Sequence, residues 1–211
     1  MGTKDSILVT ALRLFSERGF EAVSVRDIAF EVGVKESALY RHFPSKQAVF
    51  DQLVEDYLAK SATFMGGIHA QPTEDLSYLA RSAEIYKHLT DEDFLRLGGS
   101  VFTDFLMQPD VLRFWRMISI ERLRNESLAQ MWKIHLFDEP IAFQTSLFSL
   151  LIQLGAIKEV DPELLALEFF SPLLLLYLHA LPFELGSDEF DYLMGFAQKH
   201  IQHFRDTYAL R

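Results

Sequence analysis

The sequence contains no cysteine, which excludes a disulfide framework, thiol redox chemistry and zinc held by thiolates. It also lacks a basic excess. Lys and Arg number 20 against 30 Asp and Glu, for a net charge of −10, so wholesale coating of nucleic acid is not expected. Uninterrupted apolar runs are scarce: the longest stretch, Leu164 to Phe183, is broken by Glu168, Ser171, Pro172 and His179 and reads as a poor membrane span. Met1-Gly2-Thr3-Lys4-Asp5 has no apolar core of the kind an export signal needs. A soluble, cytoplasmic chain with no membrane partner is the expectation. No GxSxG, HExxH, Walker A or GxGxxG pattern occurs, and no nucleophile and base stand at readable spacing. Neither an enzyme nor a cofactor is therefore expected. Gly98-Gly99-Ser100 is too short for a phosphate cradle and reads as a helix break.

What is present is helix after helix. Hydrophobic residues make up 49% and charged residues 24%, the balance of a globular chain, and there is neither strand alternation nor a repeat of fixed period. Ile7, Leu8, Ala11, Leu12 and Phe15 recur at helical spacing, with Gly19 where a left-handed C-cap belongs. Ser24 is an N-cap, and Asp27 three residues on completes a capping-box-like pair. Val25, Ile28, Ala29 and Val32 stripe a short second helix that Gly33 stops. A third helical turn follows over about Glu36 to His42. Pro44-Ser45 ends it and caps a fourth helix striped by Val49, Phe50, Leu53, Val54, Tyr57 and Leu58, which Gly66-Gly67 closes.

Charge is unevenly spread between this head and the rest. Residues 1–50 hold seven basic and six acidic side chains, and residues 51–211 hold the remaining 13 and 24, net −11. The expected organisation is all-α: a helix-turn-helix head over 1–46, a connecting helix over 46–66, and a helical-bundle body over 67–211. Later breaks are expected at Gly98-Gly99, Pro109, Asp138-Glu139-Pro140, Gly155, Pro182 and Gly186-Ser187. Asp161 as N-cap with Pro162 behind it is a strong helix start. The apolar segment 163–181 should be covered on both sides. Together with the stripe Phe190, Leu193, Met194, Ala197, Ile201 and Phe204 in 188–208, it suits a helical pair that completes a core and meets a second copy of the chain.

Residues 24–46 combine two short helices with a glycine turn, a pattern that places its second helix in the DNA major groove. Leu39 and Phe43, four apart, anchor that helix inward and leave Lys35, Glu36, Ser37, Tyr40, Arg41 and His42 outward. The chain here resembles the tetracycline-repressor (TetR) family of bacterial transcriptional regulators. The resemblance is carried by Ile7-Leu8, Ala11, Leu14-Phe15, Gly19-Phe20, Ser24-Val25-Arg26-Asp27-Ile28-Ala29, Gly33-Val34, Leu39-Tyr40, His42-Phe43 and Ser45-Lys46, unbroken over about a quarter of the chain. It implies a ligand-responsive repressor, a homodimer released from a palindromic double-stranded operator by a small hydrophobic effector. Ser24 and Arg26 would then touch phosphates, Tyr40, His42 and Lys46 would grip the backbone, and Lys35, Glu36 and Ser37 would meet base edges, with Arg41 beside them. Glu36 stands where a basic residue is frequent in the family, and Ser37 where glycine often is. A helical homodimer that binds a small molecule or protein partner without reading DNA is the alternative.

Residues 51–211 carry 14 of the 19 Phe and both Trp. Polar groups set among aromatic ones suit a small hydrophobic ligand. The expected lining is Tyr86, Phe102, Phe105, Trp115, Arg116, His135 and Gln144, and His179 is a further embedded polar residue. His200, His203 and Asp206 share a face of the last helix at a spacing compatible with a divalent metal. No fourth ligand is in view, so a solvated helix face is the expected reading there.

Overall fold

The structure, a computed structural model, describes residues 2–68 and 101–209. Its helices are α1 (Thr3–Arg18), α2 (Val25–Val32), α3 (Glu36–Tyr40), α4 (Lys46–Ile68), α5 (Pro109–Glu121), α6 (Glu126–Lys133), α7 (Glu139–Gln153), α8 (Pro162–Ala180) and α9 (Ser187–Tyr208), with π-helical turns at Val101–Leu106 and Ile134–Asp138. Among the described residues no β-strand occurs; a lone antiparallel bridge joins Ile157 to Ala209. The helices fall into two compact units. The first comprises Met1–Gly67 with Pro109–Gln130, and the second Ile68–Gln108 with Met131–Arg211.

In the first unit the α1 stripe buries Ile7, Ala11, Leu14 and Phe15, as the 3.6-residue period demands. Phe15, Phe20 and Phe50 form an aromatic cluster with centroids 5.2–6.2 Å apart. On α4, Tyr57 stacks on Phe114 of α5 at 4.0 Å, and its hydroxyl accepts a hydrogen bond from Trp115 Nε1 at 2.9 Å. α5 thus supplies core to the unit that holds the head. Each fully buried ring of this size contributes about 1.5–3 kcal/mol before entropy is counted.

In the second unit Phe148 of α7, Phe169 of α8 and Phe204 of α9 meet within 5.0–5.8 Å. α8 starts as expected, with Asp161 Oδ1 accepting from the backbone N–H groups of Glu163 and Leu164. Gly155, at φ +66°, ends α7 in the left-handed region, where its N–H and that of Ala156 reach the Ile152 and Leu151 carbonyls. Lys158 N donates to Tyr208 O at 2.8 Å and Lys158 Nζ to Thr207 O at 2.6 Å, tying down the end of α9.

Several expectations are corrected. α3 ends at Tyr40 rather than at His42, and α4 runs through Gly66-Gly67 to Ile68. Gly19 has positive φ but an extended ψ of 157°, so it turns the chain without a left-handed cap. Asp138-Glu139-Pro140 does not break the chain: α6 runs through the π-turn into α7. Pro140 has no N–H to give to the preceding turn, and a π-turn directly before it takes up the mismatch. α8 is long and apolar enough to cross a membrane by length and composition. It buries Leu165, Ala166, Phe169, Leu173 and Tyr177, but Leu164, Leu167 and Leu175 are exposed, so it is not covered on both sides within one chain. Gly98-Gly99 lies outside the described residues.

Candidate nucleic-acid interface

The head is built by its caps. Ser24 Oγ accepts from Asp27 N at 3.1 Å, while the Asp27 carboxylate takes Ser24 N at 2.8 Å and Ser24 Oγ–H at 2.6 Å. These bonds hold the Asp27 carboxyl below the usual carboxylate range, chiefly through the Ser24 side chain and then its backbone N–H. Gly33, at φ +77°, closes α2 in the left-handed region, and its N–H and that of Val34 return to Phe30 and Ala29. α3 follows after two residues. Lys35 stands at its N-cap without a side-chain cap bond. Ser45 Oγ accepts from Ala48 N at 3.0 Å and starts α4.

Leu39 and Phe43 are buried, as the four-residue spacing requires. Lys35, Glu36, Ser37, Arg41 and His42 are exposed, and Tyr40 is 50% exposed. Ser24 and Arg26 are exposed at the start of α2. One side of the head therefore presents donors of the kind that grip phosphate oxygens on two short helices fixed from behind. Arg13 also bridges α1 to α2 through Glu31 at 2.7 Å.

Lys46 is different. Its ammonium donates to Phe20 O at 2.6 Å and lies 4.1 Å above the Phe20 ring. The Phe20 N–H donates to Glu121 Oε1 at 2.8 Å, from α5. A Cβ at Gly19 would meet Ile120 Cγ2 at 3.2 Å and Glu121 Oε1 at 3.3 Å, so glycine there permits the close approach of α5. Phe20 is thus held by its N–H, its carbonyl and its ring. Glu121 lies 101 residues from Phe20 in sequence, and no local signal could have paired them.

A sequence model described as bacterial regulatory proteins, tetR family, matches residues 7–53, the stretch that folds into α1–α3 and the start of α4. Residues 7–53 of this chain thus carry the tetR-family sequence. Among curated relatives, an HTH-type transcriptional regulator of Bacillus subtilis, YerO, is 38% identical over 109 residues, covering 52% of this chain and 33% of its own length. The Staphylococcus aureus negative regulator of the biofilm operon icaADBC, IcaR, is 43% identical over 58 residues, 26% of this chain and 31% of its own. The matched stretches thus span about a third of those relatives. SmeT, solved as a complex with triclosan, shares the fold at a TM-score of 0.59 and 17% identity, over 100% of this chain and 93% of its own.

The body residues expected around a ligand fall in both units. Trp115, fully buried, and Arg116 belong to the first. Phe102 and Phe105, both buried, and His135 and Gln144, both half-buried, belong to the second. Tyr86 lies outside the described residues. His135 Nδ1 is 2.8 Å from Glu139 Oε2. His179 is exposed beside Glu189 at 3.4 Å rather than embedded. His200 Nε2 is 2.8 Å from Phe169 O, and Asp206 takes Gln202 and Arg205. Among the described residues no group of three or more His, Asp or Glu is placed to hold a metal.

Proposed function

We propose that this chain is a ligand-responsive transcriptional repressor, working in the cytoplasm as a homodimer on a near-palindromic operator. The observation that carries the reading is the exposed set Lys35, Ser37, Tyr40, Arg41 and His42, held outward by buried Leu39 and Phe43 inside the stretch that matches the family. Arg26 adds phosphate contacts, Lys35, Glu36 and Ser37 meet base edges, and Tyr40 and His42 grip the backbone, whereas Ser24, whose hydroxyl and backbone N–H both donate to Asp27, serves as the α2 cap. Lys46 serves chiefly to fix Phe20, with its remaining donors free for phosphate. IcaR, a negative regulator, supports repression as the output.

A second copy pairs through α8 and α9, which leave Leu164, Leu167, Leu175, Tyr192 and Phe196 exposed in the single chain. Exposed apolar side chains in such numbers suit an interface, and two copies fix the spacing of two heads against the turn of the duplex. The effector is a small hydrophobic molecule in the Phe-rich second unit, with Phe102, Phe105, His135 and Gln144 as its first candidates. SmeT, solved with triclosan, supports a small-molecule effector. An effector that prefers one body conformation shifts head spacing, and a tenfold to hundredfold loss of operator affinity needs only about 1.4–2.7 kcal/mol of coupling.

The test is fluorescence anisotropy on DNA flanking the gene, at two salt concentrations, with a scrambled duplex as control and selection from random duplexes in parallel. Tight, salt-sensitive, sequence-selective binding that Tyr40→Ala with Arg41→Ala abolishes supports the reading. Equal weak binding to both duplexes, with no sequence enriched by selection, overturns it in favour of a homodimer that does not read DNA.

A further inference from the structure

Most acidic side chains of the head hold partners. Asp5 accepts from Gly2 N, Glu17 and Glu31 pair with Arg13, and Asp27 is closed on Ser24. Glu36 is exposed, and among the described residues no hydrogen bond or ion pair engages it. It stands in the first turn of α3, four residues before the exposed Tyr40, and so on the same helical face. A bare carboxylate is a poor choice for a surface that lies against a polyanion, because phosphates repel it. The repulsion is offset only if the groove supplies a donor. In the major groove the base-edge donors are the amino groups of cytosine and adenine. Adenine shows its N7 lone pair beside that amino group, which disfavours an anion, whereas cytosine presents the amino group without it.

We propose that Glu36 is a specificity-determining residue of the operator site, accepting a hydrogen bond from the N4 amino group of a cytosine in each half-site. The proposal rests on the operator-binding reading above. Lys35, exposed immediately before it, keeps the tip of α3 neutral and is suited to the O6 and N7 acceptors of a neighbouring guanine. The competing account is purely local. Lys35 gives α3 no side-chain cap, and an acidic residue in the first turn favours a helix through its N-terminal partial charge.

The experiment is selection from random duplexes with the full-length wild-type chain, Glu36→Gln and Glu36→Ala, with thermal melts of all three. Wild type should enrich a half-site with one fixed cytosine facing α3. Glu36→Gln should replace it with adenine, which an amide engages through N6 and N7. Glu36→Ala should lose about tenfold of discrimination at that position alone, and every other position should keep its wild-type base. The proposal is overturned if both variants keep the wild-type base everywhere, whether they melt lower (the local helix account) or bind every duplex more tightly by one common factor (simple repulsion). If the wild-type chain itself selects no sequence, the operator-binding reading fails first, an outcome separate from the two others.

Discussion

Removing the Glu121 carboxylate should loosen the head although Glu121 lies outside it in sequence. The Phe20 N–H donates to Glu121 Oε1 at 2.8 Å in a partly buried setting. A hydrogen bond to a charged acceptor contributes about 1.5–3 kcal/mol, and stranding its partner adds part of that group's desolvation cost. Glu121 is half-buried, so we place the loss for Glu121→Ala near 1.5 kcal/mol. Glu121→Gln keeps a neutral acceptor and should lose about half as much. The two units need not unfold together, so a probe inside the first is required. Trp115 is fully buried there, and a Trp132→Phe background leaves it as the sole tryptophan. Urea unfolding followed by Trp115 fluorescence should show a midpoint about 1 M lower for Glu121→Ala, taking a slope near 1.5 kcal/mol per M. An unchanged midpoint would refute the claim that this bond fixes Phe20, and so would a Gln variant as damaged as the Ala one.

Further outcomes are expected at Ser24, Gly33, Gly19 and the exposed face of α8 and α9. Ser24→Ala should cost about 1 kcal/mol through loss of the cap. The lowered Asp27 pKa contributes stability that is complete above the ordinary carboxylate pKa near 3.8 and fades as pH falls through the lower folded value, so the wild-type advantage in acid titrations should shrink below about pH 4. Gly33→Ala should lose about 1 kcal/mol from its left-handed backbone alone, since nothing lies within 4 Å of an added Cβ, and Gly33→Asn should recover most of it. Gly19→Ala should fall further in the same melts, having steric contacts as well as positive φ. Leu175→Arg with Phe196→Glu should shift sedimentation from dimer to monomer while helical circular dichroism is kept; a dimer that persists would place the partner surface elsewhere.

The head was legible because its determinants are local. A capping box joins residues three apart, the Leu39 and Phe43 anchors lie four apart, and a glycine at the end of α2 has one backbone role. Helix ends were harder, because they depend on bonds with weak sequence signals: α4 passes through two glycines, and the π-turn at Ile134–Asp138 carries the chain past Pro140. The outward face of α8 was hidden for another reason. An all-apolar helix reads alike whether its far side meets its own chain or another. Least legible were the ties of Phe20 to Glu121, of Tyr57 to Trp115 and of Lys60 to Asp110. Each joins residues 50 or more apart, and only folding brings them together. The body residues chosen for a ligand shared aromatic surroundings on paper, yet the chain allots Trp115 and Phe102 to different units.

That allotment has a practical consequence. The unit bearing α2 and α3 is assembled from two separate stretches of chain, Met1–Gly67 and Pro109–Gln130. Cutting after α4 would bare Tyr57 where Phe114 and Trp115 now cover it, and would take the Phe20 N–H from its acceptor. A chimera that grafts this head onto another regulator's body therefore needs two splices, one for each stretch. Exchange of such heads between proteins meets the same constraint: a recombination event confined to the first 67 residues delivers α2 and α3 without the helix that keeps them in shape.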